Sequence, residues 1–168
     1  YDKDFYLGSR FTNLEIKKAL NKYKKKIKFK YHKDVAKISA EIISKKKILG
    51  WFQGGAEFGP RALGNRSILC QPYPQGMKNY INKKVKFREH FRPFAPAILS
   101  KNSKEYFYLN QDSDHMLIAT KVKPNKKKII AATVHTDNSC RVQTVSKRSN
   151  NKFYSLISNF NKITNVPV

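Results

Sequence analysis

An α+β fold is what this sequence predicts, on three grounds. Helical and strand-like stretches both occur, without the strict strand–helix–strand alternation of a doubly wound sheet. Hydrophobic residues make up 40% of the 168 residues, with 11 Phe and 9 Tyr, which is enough to bury a core despite a formal net charge of +24. Three helix starts can also be placed from their own local chemistry.

The first is Thr12-Asn13-Leu14-Glu15, a capping box with Thr12 as N-cap and Glu15 at the third helical position. Phe11 and Ile16 sit where a hydrophobic staple would. Leu14, Ile16, Leu20, Tyr23 and Ile27 continue a roughly helical stripe, and Lys24-Lys25-Lys26 suits an exposed C-terminal end. Asp34 caps a second helix over 34–47, with Val35, Ile38, Ile42 and Ile43 on one face. Residues 48–53 read as a buried strand, followed by a turn-rich stretch and a short strand near Ser67 to Cys70. Helical spacing resumes from Pro74 to Lys83 through Met77, Tyr80 and Ile81. From Val85 to Phe94 the pattern alternates, with Lys86, Arg88, His90 and Arg92 at even positions, which predicts a strand with a cationic face. Further strands are expected at 94–99, 115–122 and 139–145, and an exposed loop at 121–128. Asn150 caps a last helix whose inner face carries Phe153, Leu156, Ile157, Phe160 and Ile163.

Charge bounds the function less than its size implies. Of the 35 cations only seven are Arg, and the rest are Lys. Lysine is common on a solvated surface, whereas Arg presents a rigid fork to phosphate and carboxylate. A nucleic-acid surface is the competing meaning of such a balance. Two Cys form neither a disulfide framework nor a zinc cluster, and no apolar run reaches membrane-span length, so a reducing cytoplasm and no membrane partner are expected.

Five of the seven Gly fall between positions 50 and 64, among Arg61, Asn65 and Arg66. Glycines let backbone approach a ligand, and guanidinium and main-chain N–H groups together suit an anion. The alternative is a tight turn closed by a Glu57–Arg61 ion pair. On the 85–94 stretch, alternate side chains stand about 6.6–7 Å apart, so Lys86 and Arg88 could meet adjacent groups of one polyanion. A single-stranded RNA could also stack there, or the stretch could be a charge-protected edge strand. Arg141 and Gln143 share a face of a third alternating run, preceded by His135 and Asp137.

The run Gly50-Trp51-Phe52-Gln53-Gly54, continued by Glu57-Phe58-Gly59-Pro60-Arg61-Ala62-Leu63-Gly64-Asn65-Arg66-Ser67-Ile68-Leu69, resembles the signature of the nodulation-protein U and cephalosporin O-carbamoyltransferase family. So do Asn82 to Glu89 with Phe91 to Pro96, and Arg141-Val142-Gln143-Thr144-Val145. The resemblance implies a C-terminal, YrdC-like domain: a twisted mixed or antiparallel sheet with flanking helices and a concave basic face. Residues 1–32 would be the junction and first helix after an N-terminal Kae1-like transfer domain, and 33–168 the domain itself, cut at its C-terminus. It further implies that carbamoyl phosphate and ATP, with Mg, yield carbamoyladenylate and pyrophosphate. The partner domain would then pass the carbamoyl group to a small-molecule hydroxyl acceptor. No metal site is expected within this chain. By motif position, Lys86 and Arg92 would be catalytic, and Arg61 and Arg141 would bind carbamoyl and phosphate groups. Asn65, Arg66, Lys84, Arg88, His135 and Gln143 would assist. The rivals are a non-enzymatic RNA-binding module and a fragment that only binds its partner domain.

Four positions depart from the family habit. Gly55 stands where the family usually carries Arg. Asn138 and Asn165 replace Gly, which left-handed backbone tolerates next best. Cys140 replaces a small Ala. The chain also stops before the family's Asn-Thr-Ser-Phe-Asn segment, which contributes a site Ser.

Overall fold

The computed structural model describes residues 5–74 and 76–168, so the first four residues of the expected 1–32 junction lie outside the described residues. Helix α1, Asn13–Lys22, starts on the expected capping box: Thr12 Oγ1 accepts from the Glu15 N–H, and Glu15 Oε2 accepts from the Thr12 N–H at 2.7 Å. None of its residues is buried. Phe11 and Ile16, expected to staple it, are both exposed, and Phe11 instead stacks on Phe52 with ring centroids 6.3 Å apart.

Helix α2, Val35–Ser44, is capped by Asp34, whose Oδ1 accepts from the Lys37 N–H. Its inward face is Ala36, Ser39, Ala40 and Ile43 rather than the expected Val35, Ile38, Ile42 and Ile43, and Val35 is half exposed. The small residues win because α2 packs closely on α5, Asn151–Thr164, the longest helix. Asn150 caps α5 through an N–H···O bond from Phe153. Phe153, Leu156, Ile157 and Phe160 enter the core as their spacing requires, whereas Ile163 stays 49% exposed.

The strands form three two-stranded pairs among the described residues, not one broad sheet. Strand β1 (Leu49–Phe52) runs antiparallel to β2 (Arg66–Leu69), with Trp51 opposite Ser67. Only Trp51 of β1 is buried, so the buried strand expected at 48–53 is corrected to a half-covered one. Strand β3 (Ala97–Leu99) lies parallel to β6 (Gln143–Val145), and β4 (Ala119–Lys121) antiparallel to β5 (Ser139–Arg141). Helices α3 (Gly76–Ile81) and α4 (Ser103–Tyr106) complete the set. The α+β class stands. The main core cluster gathers Ala40, Trp51, Ile98, Phe107, Val122, Ile130, Val142, Leu156 and Phe160, while Met77 and Ile81 of α3 pack in a separate cluster.

The cationic strand expected at 85–94 is absent. α3 widens into a π-helical turn, Asn82–Lys86, and Phe87 then takes the left-handed conformation at φ 48°. The cause is one residue. Asn82 is fully buried, and its Nδ2 donates to the carbonyls of His90 and Arg92 while its Oδ1 accepts from Arg88 Nε. The chain therefore wraps around Asn82 instead of extending, and the platform on which the RNA reading rested does not form.

By contrast, both Asn substitutions noted above behave as expected. Asn138 and Asn165 adopt φ of 64° and 58°, the second as the C-cap of α5.

Candidate functional site

The glycine-rich loop between β1 and β2 is fixed from within. Glu57 Oε1 accepts from the N–H groups of Leu63, Asn65 and Arg66 at 2.7, 2.8 and 3.1 Å. Burial pushes the Glu57 carboxyl up, but these N–H donors outweigh it and hold its pKa below the usual value. In place of the alternative Glu57–Arg61 ion pair, the carboxylate anchors backbone.

Asn65, also buried, donates to the Gly55 carbonyl and accepts from Gln53 Nε2 and Asn150 Nδ2. Trp51 Nε1 donates to the Gly64 carbonyl at 2.8 Å. Gly64 sits at φ 100°, and a Cβ there would lie 2.2 Å from the Phe153 ring. Only glycine lets this turn close on α5.

Position 55 is equally tight. A Cβ there would meet the Tyr6 carbonyl at 2.4 Å and Arg10 Nε at 3.0 Å. The arginine habitual in the resembled family has no room here, and the Arg10 side chain lies where it would begin.

Arg61 projects from this loop into solvent, and Arg141 ends β5. Burial, and the nearby charge of Arg61, both lower the pKa of Arg141. Arg61 thus lies within electrostatic reach of Arg141. Among the described residues, no carboxylate pairs with either. Arg141 Nε is buried with no hydrogen-bond partner.

Gln143 reaches the same loop, donating through Nε2 to the Leu63 carbonyl at 2.9 Å, while its buried Oε1 has no partner. Orphaned buried polar atoms are uncommon. Here two lie on Arg141 and Gln143. The arrangement offers forked donors to an anion and one acceptor to a donor such as an amide N–H.

The other cations divide into two groups. Arg66 is spent on structure: it donates to the carbonyls of Gln53, Gly54, Ser9 and Asn65, and its guanidinium lies 3.6 Å over the Phe52 ring. Arg88 is likewise held by Asn82 and the Pro93 carbonyl, with Phe94 beneath it. Lys84 and Lys86 are exposed on the π-helical turn, and Arg92 is exposed beside Glu89 at 3.0 Å. His135 opens the turn before β5, its N–H donating to the Ser139 carbonyl, at the opposite end of the strand from Arg141.

Sequence reasoning missed Glu57, Gln53, Asn150 and Tyr6 as the frame of the loop. Tyr6 donates to the Leu63 carbonyl and accepts from Asn150 Nδ2 across 144 positions, a pairing no local pattern reports. A cavity of about 110 Å³ lies elsewhere. It is apolar, walled by Met77, Ile81, Phe94, Leu156 and Phe160, and includes none of the predicted site residues.

The family model for the carbamoyltransferase C-terminus matches residues 40–168. The chain belongs to the carbamoyltransferase family. Its match is to the C-terminal domain, and the paired Arg, the glycine loop and β6 all lie inside it. The nodulation protein NolNO of Sinorhizobium fredii is 44% identical over 80% of this chain and 20% of that protein. The nodulation protein NolO of Bradyrhizobium diazoefficiens is 36% identical over 98% of this chain and 31% of that protein. Nodulation protein U of Rhizobium tropici is 40% identical over 77% of this chain and 22% of its own length. The chain thus spans about a fifth to a third of the length of these relatives. Among the described residues, no helix is long and apolar enough to cross a membrane.

Proposed function

We propose that this carbamoyltransferase domain binds ATP and carbamoyl phosphate at the Arg61–Arg141 pair and forms carbamoyladenylate there. A partner transfer domain would use the adenylate on a small hydroxyl-bearing acceptor. The observation that carries the reading is Arg141: a partly buried guanidinium within electrostatic reach of Arg61, with no ion-pair partner among the described residues and a buried Nε lacking a hydrogen-bond partner.

Like charges held together in partly dry surroundings are relieved by an anion, and a guanidinium fork matches a phosphate or carbamate oxygen pair. The chemistry asks for this charge. Water releases phosphate from carbamoyl phosphate to leave carbamate. A carbamate oxygen then bonds to the α-phosphorus of ATP as the bond to the β-phosphate breaks and pyrophosphate leaves. Negative charge builds on phosphate oxygens, and fixed cations stabilise it.

Gln143 Oε1 would accept from the carbamoyl NH₂, distinguishing it from acetate. Lys86 and Arg92, on the exposed segment, would neutralise the outer phosphates. The Arg92–Glu89 pair is a surface contact of little worth, so Arg92 can exchange partners. Mg would arrive with the nucleotide.

The test is exchange of labelled pyrophosphate into ATP by the full-length polypeptide. Exchange should require carbamoyl phosphate. Arg141→Lys, which keeps charge and loses the fork, should weaken nucleotide binding by roughly 1–3 kcal/mol. Exchange unaffected by Arg61→Ala and Arg141→Lys would move the site elsewhere.

A further inference from the structure

We infer that the apolar stripe of α1 is a docking face for the part of the longer carbamoyltransferase polypeptide that this chain does not span. The inference rests on the reading above of the chain as one unit of a two-domain enzyme.

Ile16, Leu20, Tyr23 and Ile27 follow one another at helical spacing across α1 and the turn that ends it. Lys17, Lys18, Lys22, Lys24 and Lys25 project around the rest of the circumference. Such a division of faces marks a helix that lays its apolar side on something. Here that side stays partly open to solvent: Ile16 is 39% exposed, Tyr23 58% and Ile27 40%, Leu20 is half-buried, and no residue of α1 is buried. A ten-residue helix is marginal in water without tertiary cover.

Two further observations identify the cover. The family model begins only at residue 40, yet the alignment with NolO takes in 98% of the chain. The segment holding α1 is therefore shared with a longer protein although it stands outside the domain. NolO also has more than twice as much again of its own chain to supply the opposing face, since this chain matches only 31% of it.

The way α1 is attached gives the contact a purpose. Residues 5–9 are strapped to the glycine-rich loop, with the Gly8 N–H on the Ala56 carbonyl, the Phe58 N–H on the Phe5 carbonyl, and Arg66 Nη2 on the Ser9 carbonyl. A body seated on α1 is thereby held next to the loop that carries Arg61. A product made at the loop would have a short path to it. The cations beside the stripe call for an acidic rim on the opposing face.

Hydrogen exchange on the full-length polypeptide tests this, read on the amides of 13–27 and of 53–66. Amides 13–27 should be protected at least about tenfold over the double variant Leu20→Glu with Ile27→Glu, with 53–66 unchanged. Because no residue of the stripe is buried in this domain, the variant should keep its near-ultraviolet dichroism. Equal, fast exchange of 13–27 in both proteins would overturn the inference. So would protection that grows with protein concentration, which means a second copy. Protection that needs anionic phospholipid vesicles would mean a membrane and would overturn it too. Loss of pyrophosphate exchange with 13–27 still protected would instead count against the adenylate reading and leave the docking face standing.

Discussion

Two cation-bearing segments of this domain fold in opposite ways. Residues 53–66 turn inward on a carboxylate. Glu57 gathers three N–H groups and Asn65 ties the loop to α5, so the backbone is rigid and Arg61 projects from a fixed base. Residues 82–94 wrap around a single amide. Asn82 collects two carbonyls and one guanidinium, and Lys84, Lys86 and Arg92 are left outside. A rigid loop pre-orients its cation and loses little entropy on binding, whereas exposed lysines must be ordered by the ligand. The difference assigns geometry to the first segment and adaptable charge to the second.

The contrast breaks most sharply at Gly64. Gly64→Ala combines a φ of 100° with a 2.2 Å approach to Phe153. It should cost about 3 kcal/mol, seen as a large fall in the denaturation midpoint. A stable Gly64→Ala protein would mean the loop is not held against α5.

Asn82→Ala comes next. It strands the carbonyls of His90 and Arg92 and the Arg88 guanidinium. A loss of about 2 kcal/mol is expected, with faster hydrogen exchange over 82–94 and unchanged exchange over 53–66. Loosening of both segments would show that they are one unit.

Glu57 gives a smaller and pH-dependent effect. Its folded pKa lies below the ordinary glutamate value, so its contribution is present above about pH 4.3 and is lost as the pH falls through the folded pKa. Glu57→Gln should cost about 1 kcal/mol at pH 7, after allowance for solvent screening, and its stability should converge with that of the parent at low pH. Parallel stability curves down to acid would remove the carboxylate anchor.

Smallest is the effect of the thiols. Burial raises Cys70 and Cys140 to about 12, so neither should label quickly with a thiol reagent at pH 8 in the native state. Rapid labelling of Cys70 would mean that the apolar cavity opens.

Much of this organisation was legible because its signals are local. Capping residues Thr12, Asp34 and Asn150 mark three helix starts within one turn. The placement of five glycines marks the loop. What could not be read is the work of distant or solitary partners. Asn82 overrides a clean period-two pattern from inside the core. Arg66 and Arg88 have the right residue type for an anion site but are consumed by carbonyls and rings nearby. Asn65 and Gln143 were expected at the site and are there as its frame, with Gln143 Oε1 alone left over. On the α2 face, Ala36, Ser39 and Ala40 join Ile43 towards α5, while Val35 is left outside.

Titration of ATP into the full-length protein by calorimetry, at two salt concentrations, bears most directly on the Arg61–Arg141 pair. Arg141→Lys should weaken binding about tenfold or more at both, because geometry as well as charge is lost. Neutralising Lys126, Lys127 and Lys128 together should leave affinity near that of the parent. The opposite pattern, with Arg141→Lys silent and binding lost with the lysine loop and with added salt, would contradict a built anion site and leave only a generally basic surface.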